Sequence, residues 1–115
     1  MVVMIGEIKN DARYIWTNHA QYKMGYYRIS PSLVKRIVRF PERIEESIVD
    51  DLVAVMKKSS SKKEEIWVMY ELYSGEKVEK PKIKIITTWR YPGESSARDP
   101  IPEDILQEIK AILNR

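Results

Sequence analysis

Three side chains of this sequence have chemistry suited to proton transfer and phosphate binding: His19, Lys23 and Arg90. The ordinary pKa of histidine, about 6.5, lets an imidazole accept or donate a proton near neutral pH. Lys23 follows His19 at helical spacing, where its charge can stabilise a phosphate or lower the pKa of the imidazole. The guanidinium of Arg90 can bind a phosphate through two parallel hydrogen bonds. These three residues are therefore the catalytic candidates.

Each candidate also has a purely structural interpretation. His19 can bond its own backbone or a nearby carbonyl group, since no partner for it is visible in the sequence. Lys23 can be an ordinary solvated lysine of a helix surface. Arg90 can stack on one of the aromatic residues that flank it, or pair with Glu71 across a sheet. Both interpretations of each residue stay open at this stage.

Basic residues are concentrated in one part of the chain, which carries a net charge of +3 and has a pI of about 9.1. Between residues 28 and 43 only Glu42 opposes them. Such a local excess suits an anionic partner such as RNA. The predicted RNA-binding residues, with one aromatic residue for base stacking, are Arg28, Lys35, Arg36, Arg39, Arg43 and Tyr91. The alternatives are a solvated helix face, a surface for a protein partner and, for the tyrosine, a place in the core.

The segment 82–93 predicts the last strand of a sheet, because β-branched and aromatic residues dominate it and Pro92-Gly93 ends it. Strict alternation divides this strand between two faces. One face would carry Ile83, Ile85, Thr87, Trp89 and Tyr91, and the other Lys82, Lys84, Ile86, Thr88 and Arg90.

Periodicity and capping signals predict the remaining elements. A first helix would start at Asn18, with Gln21 in the capping-box position, and a second at Ser30-Pro31. The predicted strands are 12–17, 43–48, 52–57, 65–73 and 82–91, and the predicted helices are 18–26, 31–39 and 102–114. The predicted fold class is α+β, a twisted antiparallel sheet of about four to five strands with two N-terminal helices and one C-terminal helix on one face.

Length and composition predict one domain over residues 1–115, in which 1–11 form an extra strand or a flexible leader. The chain has no cysteine and one histidine, so thiolate zinc sites, disulfides and cysteine nucleophiles are excluded. No clustered acidic spacing suggests a metal site, and no cofactor is predicted. No signal peptide and no membrane-spanning run is present, so we expect a cytoplasmic protein without a membrane partner.

The order of elements, together with several short motifs, resembles the RelE/ParE toxin superfold. Within that superfold the sequence is most similar to small bacterial domains related to the BrnT-type toxins. The segments that carry this resemblance are Thr17–Ala20, Lys23-Met24, Ser30–Val38 with Pro41, Glu65–Leu72 and Ile85–Pro92.

The resemblance implies a toxin-like, RNA-directed protein, an endoribonuclease that cleaves RNA by attack of the 2′-hydroxyl group. Its partners would be RNA or the ribosome and a small antitoxin protein. By this resemblance His19 would move the proton, and Lys23 and Arg90 would hold the scissile phosphate. RelE proper carries catalytic side chains near its C-terminus, whereas Glu103–Arg115 contains neither histidine nor tyrosine. The alternatives are a non-catalytic interaction module, ParE-like in that it binds without cleaving, and a homodimer that pairs the edges of its own sheet.

Overall fold

The structure, a computed structural model, describes residues 13–46, 52–73, 82–95 and 102–113. Within these ranges the chain forms five strands and three helices. In chain order they are β1 (Tyr14–Trp16), α1 (Asn18–Tyr27), α2 (Pro31–Arg39), β2 (Arg43–Glu46), β3 (Leu52–Lys58), β4 (Glu64–Tyr73), β5 (Lys82–Pro92) and α3 (Glu103–Leu113). The predicted leader 1–11, the end of the predicted strand 43–48 and the loop 74–81 lie outside the described residues.

The five strands form one sheet in the order β1-β5-β4-β3-β2, with β4 at its centre. The α+β class and the predicted numbers of strands and helices are confirmed. The sheet is mixed, because β1 pairs with β5 in parallel while the other pairs are antiparallel. The chain leaves β1 through two helices before it enters β2 at the opposite edge. The antiparallel strands β2 to β5 then return across the sheet, and β5 reaches β1 running in the same direction.

A β-bulge in β5 changes which residues share a face. Ile85 and Thr87 pair with adjacent residues of β4, so Ile86 is an extra residue without a partner in the register. Beyond the bulge the alternation is reversed, and the predicted division of this strand is wrong from Thr87 onward. Thr87 and Trp89 lie on one face with Ile86, whereas Arg90 lies on the opposite face with Ile85.

Helices cover both faces of the sheet, so the prediction that all three lie on one face is wrong. The reason is that β4 presents large apolar side chains alternately to both sides, and each face needs a cover. One core cluster, on what we call the α2 face, joins α1 and α2 to Ile66 and Val68. The other, on the α3 face, joins α3 to Trp67 and Trp89, whose rings stack with centroids 5.8 Å apart.

Helix α1 lies along β5 as a continuation of β1, and its start is tied to the sheet. Thr17, rather than Asn18, is the N-cap residue: its hydroxyl group accepts from Ala20 N and donates to Ile85 O at 2.7 Å. With Thr17 as the cap, Gln21 lies one residue beyond the capping-box position, and its side chain donates to Trp16 O. The predicted cap at Ser30 is confirmed, since its hydroxyl group accepts from the backbone of α2.

No helix in the described part of the chain is long and apolar enough to cross a membrane.

Candidate functional site

His19 and Lys23 meet a carboxylate from the other end of the chain. Their side chains occupy successive turns of α1 and point towards α3. Lys23 Nζ donates to Glu108 Oε1 at 2.9 Å, and His19 Nε2 lies 3.4 Å from Glu108 Oε2. Tyr27 continues the same row, with its ring centroid 5.8 Å from Lys23 Nζ. We call His19, Lys23 and Glu108 the α1–α3 junction.

Burial sets the protonation of the junction. It lowers the pKa of His19, and the charge of Lys23 acts in the same direction, while Glu108 partly opposes both. The imidazole is therefore neutral at pH 7 and able to accept a proton. Burial also acts to lower the pKa of Lys23, but the hydrogen bond and charge of Glu108 outweigh it, so that the net shift is upward. Lys23 is consequently a permanent cation at neutral pH.

The facing atoms of His19 and Glu108 are incompletely bonded. His19 Nε2 and Glu108 Oε2 are both buried, and neither has a hydrogen-bond partner among the described residues. About a quarter of the His19 side chain remains exposed to solvent. A carboxylate in this position can orient the imidazole and stabilise its protonated form, as a general acid–base group requires.

Arg90 lies at the opposite end of α1 from His19. Its Nε donates to Tyr27 O at 2.8 Å and its Nη2 to Arg28 O at 3.3 Å, while its Nη1 pairs with Glu64 Oε1 at 2.8 Å. The carboxylate partner is thus Glu64 and not Glu71. The rise of an α-helix separates His19 from Tyr27 by about 12 Å. Arg90 therefore does not meet His19 around a single phosphate.

A basic cavity of about 390 Å³ opens where α1 ends. We call it the α1 pocket; its lining residues are Tyr26, Tyr27, Arg28, Ser61, Lys62, Glu64 and Arg90. Arg28 adopts the left-handed conformation (φ 57°) that ends the helix. Three of the lining side chains are cationic, and the one carboxylate is paired with Arg90. The pocket is therefore suited to an anion.

Two tyrosines extend from the α1 pocket along the outer side of the helix. Tyr22 and Tyr26 are one turn apart and are 67% and 68% exposed. The Tyr26 ring packs edge-on against Tyr27, which holds it beside the pocket. We refer to Tyr22, Tyr26 and the α1 pocket together as the α1 surface.

The other predicted RNA-binding residues do not join the α1 surface. Lys35 and Arg39 line an open groove of about 770 Å³ on the α2 face, with Arg13, Tyr14 and Tyr70. Lys35 Nζ lies 5.1 Å from the ring centroid of Tyr14. Arg36, on the same helix, is exposed but is not among the residues that line this groove.

Arg43 and Tyr91 lie on the α3 face, around a buried carboxylate. Glu65 is almost fully buried, and its Oε1 accepts from Trp67 Nε1 at 3.0 Å and from Ser95 Oγ at 2.5 Å. Arg43 Nη1 donates to Ser95 and lies 3.8 Å from Glu65 Oε2. Tyr91 pairs with Glu65 in the sheet register. Arg43 is thus part of an internal network that secures the segment after β5.

The sequence did not reveal Glu108, Glu64 or Glu65 as partners of the candidate cations. Each lies in a different element from the cation it meets, and nothing in local spacing indicates the pairing. The pairing of β4 with β5 could have suggested one of them. Ile66 pairs with Arg90, and Glu64, two residues before Ile66, lies on the same face of β4.

No group of three or more metal-ligating side chains lies together in the described ranges. Comparison with protein-family models, curated proteins and solved structures finds no match to this chain, so its resemblance to RelE/ParE and BrnT-type toxins stays a prediction from sequence.

Proposed function

We propose that this protein is RNA-directed and binds single-stranded RNA across the α1 surface. The observation that carries this proposal is the pair of highly exposed tyrosines leading into a basic pocket. Bases of any sequence stack on such rings, and each stacked base contributes about 1–3 kcal/mol. Single strands suit this surface because their bases are free to leave the helical stack.

The charges of the α1 pocket support a phosphate ligand. Arg28 and Lys62 are exposed cations, and the charge of Glu64 is largely offset by Arg90. An RNA strand whose bases stack on Tyr22 and Tyr26 would therefore place its phosphates near the positively charged α1 pocket. Contacts of this kind release counterions, which makes the affinity salt-dependent.

The α1–α3 junction supports a role in RNA cleavage for His19. A neutral imidazole next to an orienting carboxylate can take the proton from a 2′-hydroxyl group, and Lys23 lies beside it to stabilise charge. Because Arg90 is bonded to Tyr27 and Arg28, at the end of α1 that lies about 12 Å along the helix axis from His19, it would bind a neighbouring phosphate and not the scissile one. Toxin-like endoribonuclease activity is the catalytic form of this proposal.

A second candidate function is a non-catalytic binding module, with a small acidic protein among its candidate partners. The observation that favours it is that Lys23 and Arg90 are each already paired with a carboxylate. Paired cations stabilise a transition state less than free ones, but the exposed tyrosines would still bind a ligand.

The test combines an affinity and a cleavage measurement on the same protein. Binding of a fluorescent single-stranded RNA should weaken by about tenfold or more between 50 and 200 mM salt if several phosphates are contacted. Cell-free translation with mapping of mRNA ends then compares wild type with His19→Ala. Cleavage that drops by about a hundredfold in the variant supports catalysis. Salt-dependent binding without cleavage supports the binding module, and absence of binding contradicts the proposal.

A further inference from the structure

We propose that β2 is the surface through which two copies of this chain associate, edge to edge and antiparallel, with the two-fold axis at Ile44. β2 is the last strand in the sheet order, and no described strand pairs with its outer edge. An edge strand presents unpaired backbone N–H and C=O groups, which are a template for another strand. Pairing through β2 would join the two sheets into one continuous sheet.

Symmetry restricts how β2 can pair with itself. A two-fold axis perpendicular to the sheet leaves the α2 faces of the two copies on the same side of the joined sheet. Residues that oppose each other across the axis must therefore lie on the same face. The axis must therefore pass through a residue. When it passes through Ile44, each copy of Ile44 faces the other, and Arg43 faces Glu45 of the second copy. This register combines an apolar pair with Arg43 and Glu45 at opposing positions, so that the Arg43–Glu45 ion pair of 2.8 Å within each chain lies beside that of the second copy.

The neighbouring registers are electrostatically less favourable. An axis at Arg43 or at Glu45 would place two like charges directly opposite each other, which destabilises a strand pair. The register at Ile44 has one unfavourable feature at its ends, where Glu46 faces Glu42 of the second copy. The association is therefore expected to be weak and reversible, and removal of the charge at Glu46 should strengthen it.

An exposed apolar side chain of this edge strand supports a second copy as the occupant. Ile44 is 61% exposed although it lies in a strand. Burial of such side chains is the main favourable term in association. A four-residue strand alone would give an interface at the small end of the specific range, so a dimer should form only at higher protein concentrations.

Cysteine cross-linking tests the register directly, because the chain has no cysteine of its own. In the proposed dimer the two Cβ atoms at position 44 are about 5 Å apart, which is close enough for a disulfide after a small shift. The Ile44→Cys variant should therefore form a covalent dimer about tenfold faster than Leu72→Cys, a control at a 58% exposed position on β4. Equal rates for the two variants would overturn the proposal.

Sedimentation velocity over a concentration series tests the association without a cross-link. We expect the dimer dissociation constant to rise about tenfold or more for Ile44→Lys and to fall for Glu46→Lys. Two results overturn the proposal: a wild-type protein that stays monomeric up to several hundred micromolar, and a dimer that Ile44→Lys leaves unchanged.

Discussion

His19 Nε2 faces Glu108 Oε2 at 3.4 Å, across the contact between the first helix and the last. Lys23 closes the same junction through the other carboxylate oxygen at 2.9 Å. The chain's only histidine is therefore positioned by a helix that follows the whole sheet in sequence. The electrostatic environment of His19 reports directly on whether α3 is docked.

Substitutions at the junction should move the pKa of His19 in opposite directions. Glu108 raises this pKa and Lys23 lowers it, against a background of burial that lowers it most. Glu108→Gln should therefore lower the pKa below its wild-type value, and Lys23→Met should raise it. With one histidine in the chain, a proton NMR titration gives a single imidazole signal to follow. Shifts of the same sign in both variants would contradict the geometry of the junction.

Arg90 should contribute more to stability than an exposed cation such as Arg39. Its guanidinium makes three hydrogen bonds, to two carbonyl groups at the end of α1 and to Glu64. A lysine cannot reproduce this arrangement. We expect Arg90→Lys to lower the free energy of unfolding by about 2 kcal/mol, whereas Arg39→Lys, at an exposed position, should change it little. Denaturant unfolding measures both. Unchanged stability together with lost RNA binding would show that Arg90 acts on phosphate and not on the fold.

Two adjacent buried threonines should respond differently to the same substitution. Thr88 Oγ1 donates to Trp67 O, whereas Thr87 Oγ1 is buried without a hydrogen-bond partner among the described residues. Thr87→Val should stabilise the protein by about 1 kcal/mol, and Thr88→Val should destabilise it by a similar amount. Thermal unfolding of the two variants side by side measures the difference. A loss of stability in both would indicate that the Thr87 hydroxyl group has a bound water as its partner.

Substitution of Arg28 should change protein stability and RNA affinity in opposite directions. It adopts a left-handed backbone conformation, which costs a residue other than glycine about 1 kcal/mol. Arg28→Gly should therefore stabilise the protein while weakening RNA binding, because it removes a cation of the α1 pocket. The matched control is Arg36→Gly, which should destabilise by about 1 kcal/mol inside α2. If Arg28→Gly leaves the RNA affinity unchanged, the α1 pocket is not where phosphate binds.

Local signals in the sequence predicted most of the elements. The Ser30-Pro31 start of α2, the apolar strand β4 and the acidic first turn of α3 each have a local physical cause, and each was predicted within a few residues. The bulge at Ile86 was not predictable, because its run of β-branched residues fits either face. The parallel pairing of β1 was not predictable either, because it depends on which strand of the finished sheet has an unpaired edge, and that is a property of the whole sheet.

The candidate site was predictable only in part. His19 and Lys23 are close because helical spacing requires it. Their contact with Glu108 depends on where α3 packs, and that is decided by Ile105 and Ile109 meeting the α3 face. The separation of Arg90 from His19 follows from the direction in which α1 runs along β5, about which periodicity contains no information.

The most direct test of the central claim is the affinity for a single-stranded RNA, measured by fluorescence anisotropy for Tyr26→Ala and Phe40→Ala. Both residues are aromatic and similarly exposed, at 68% and 69%, but only Tyr26 belongs to the α1 surface. If bases stack on this surface, Tyr26→Ala should lose about fivefold or more in affinity and Phe40→Ala should lose little. Equal affinities for wild type and Tyr26→Ala would contradict the account.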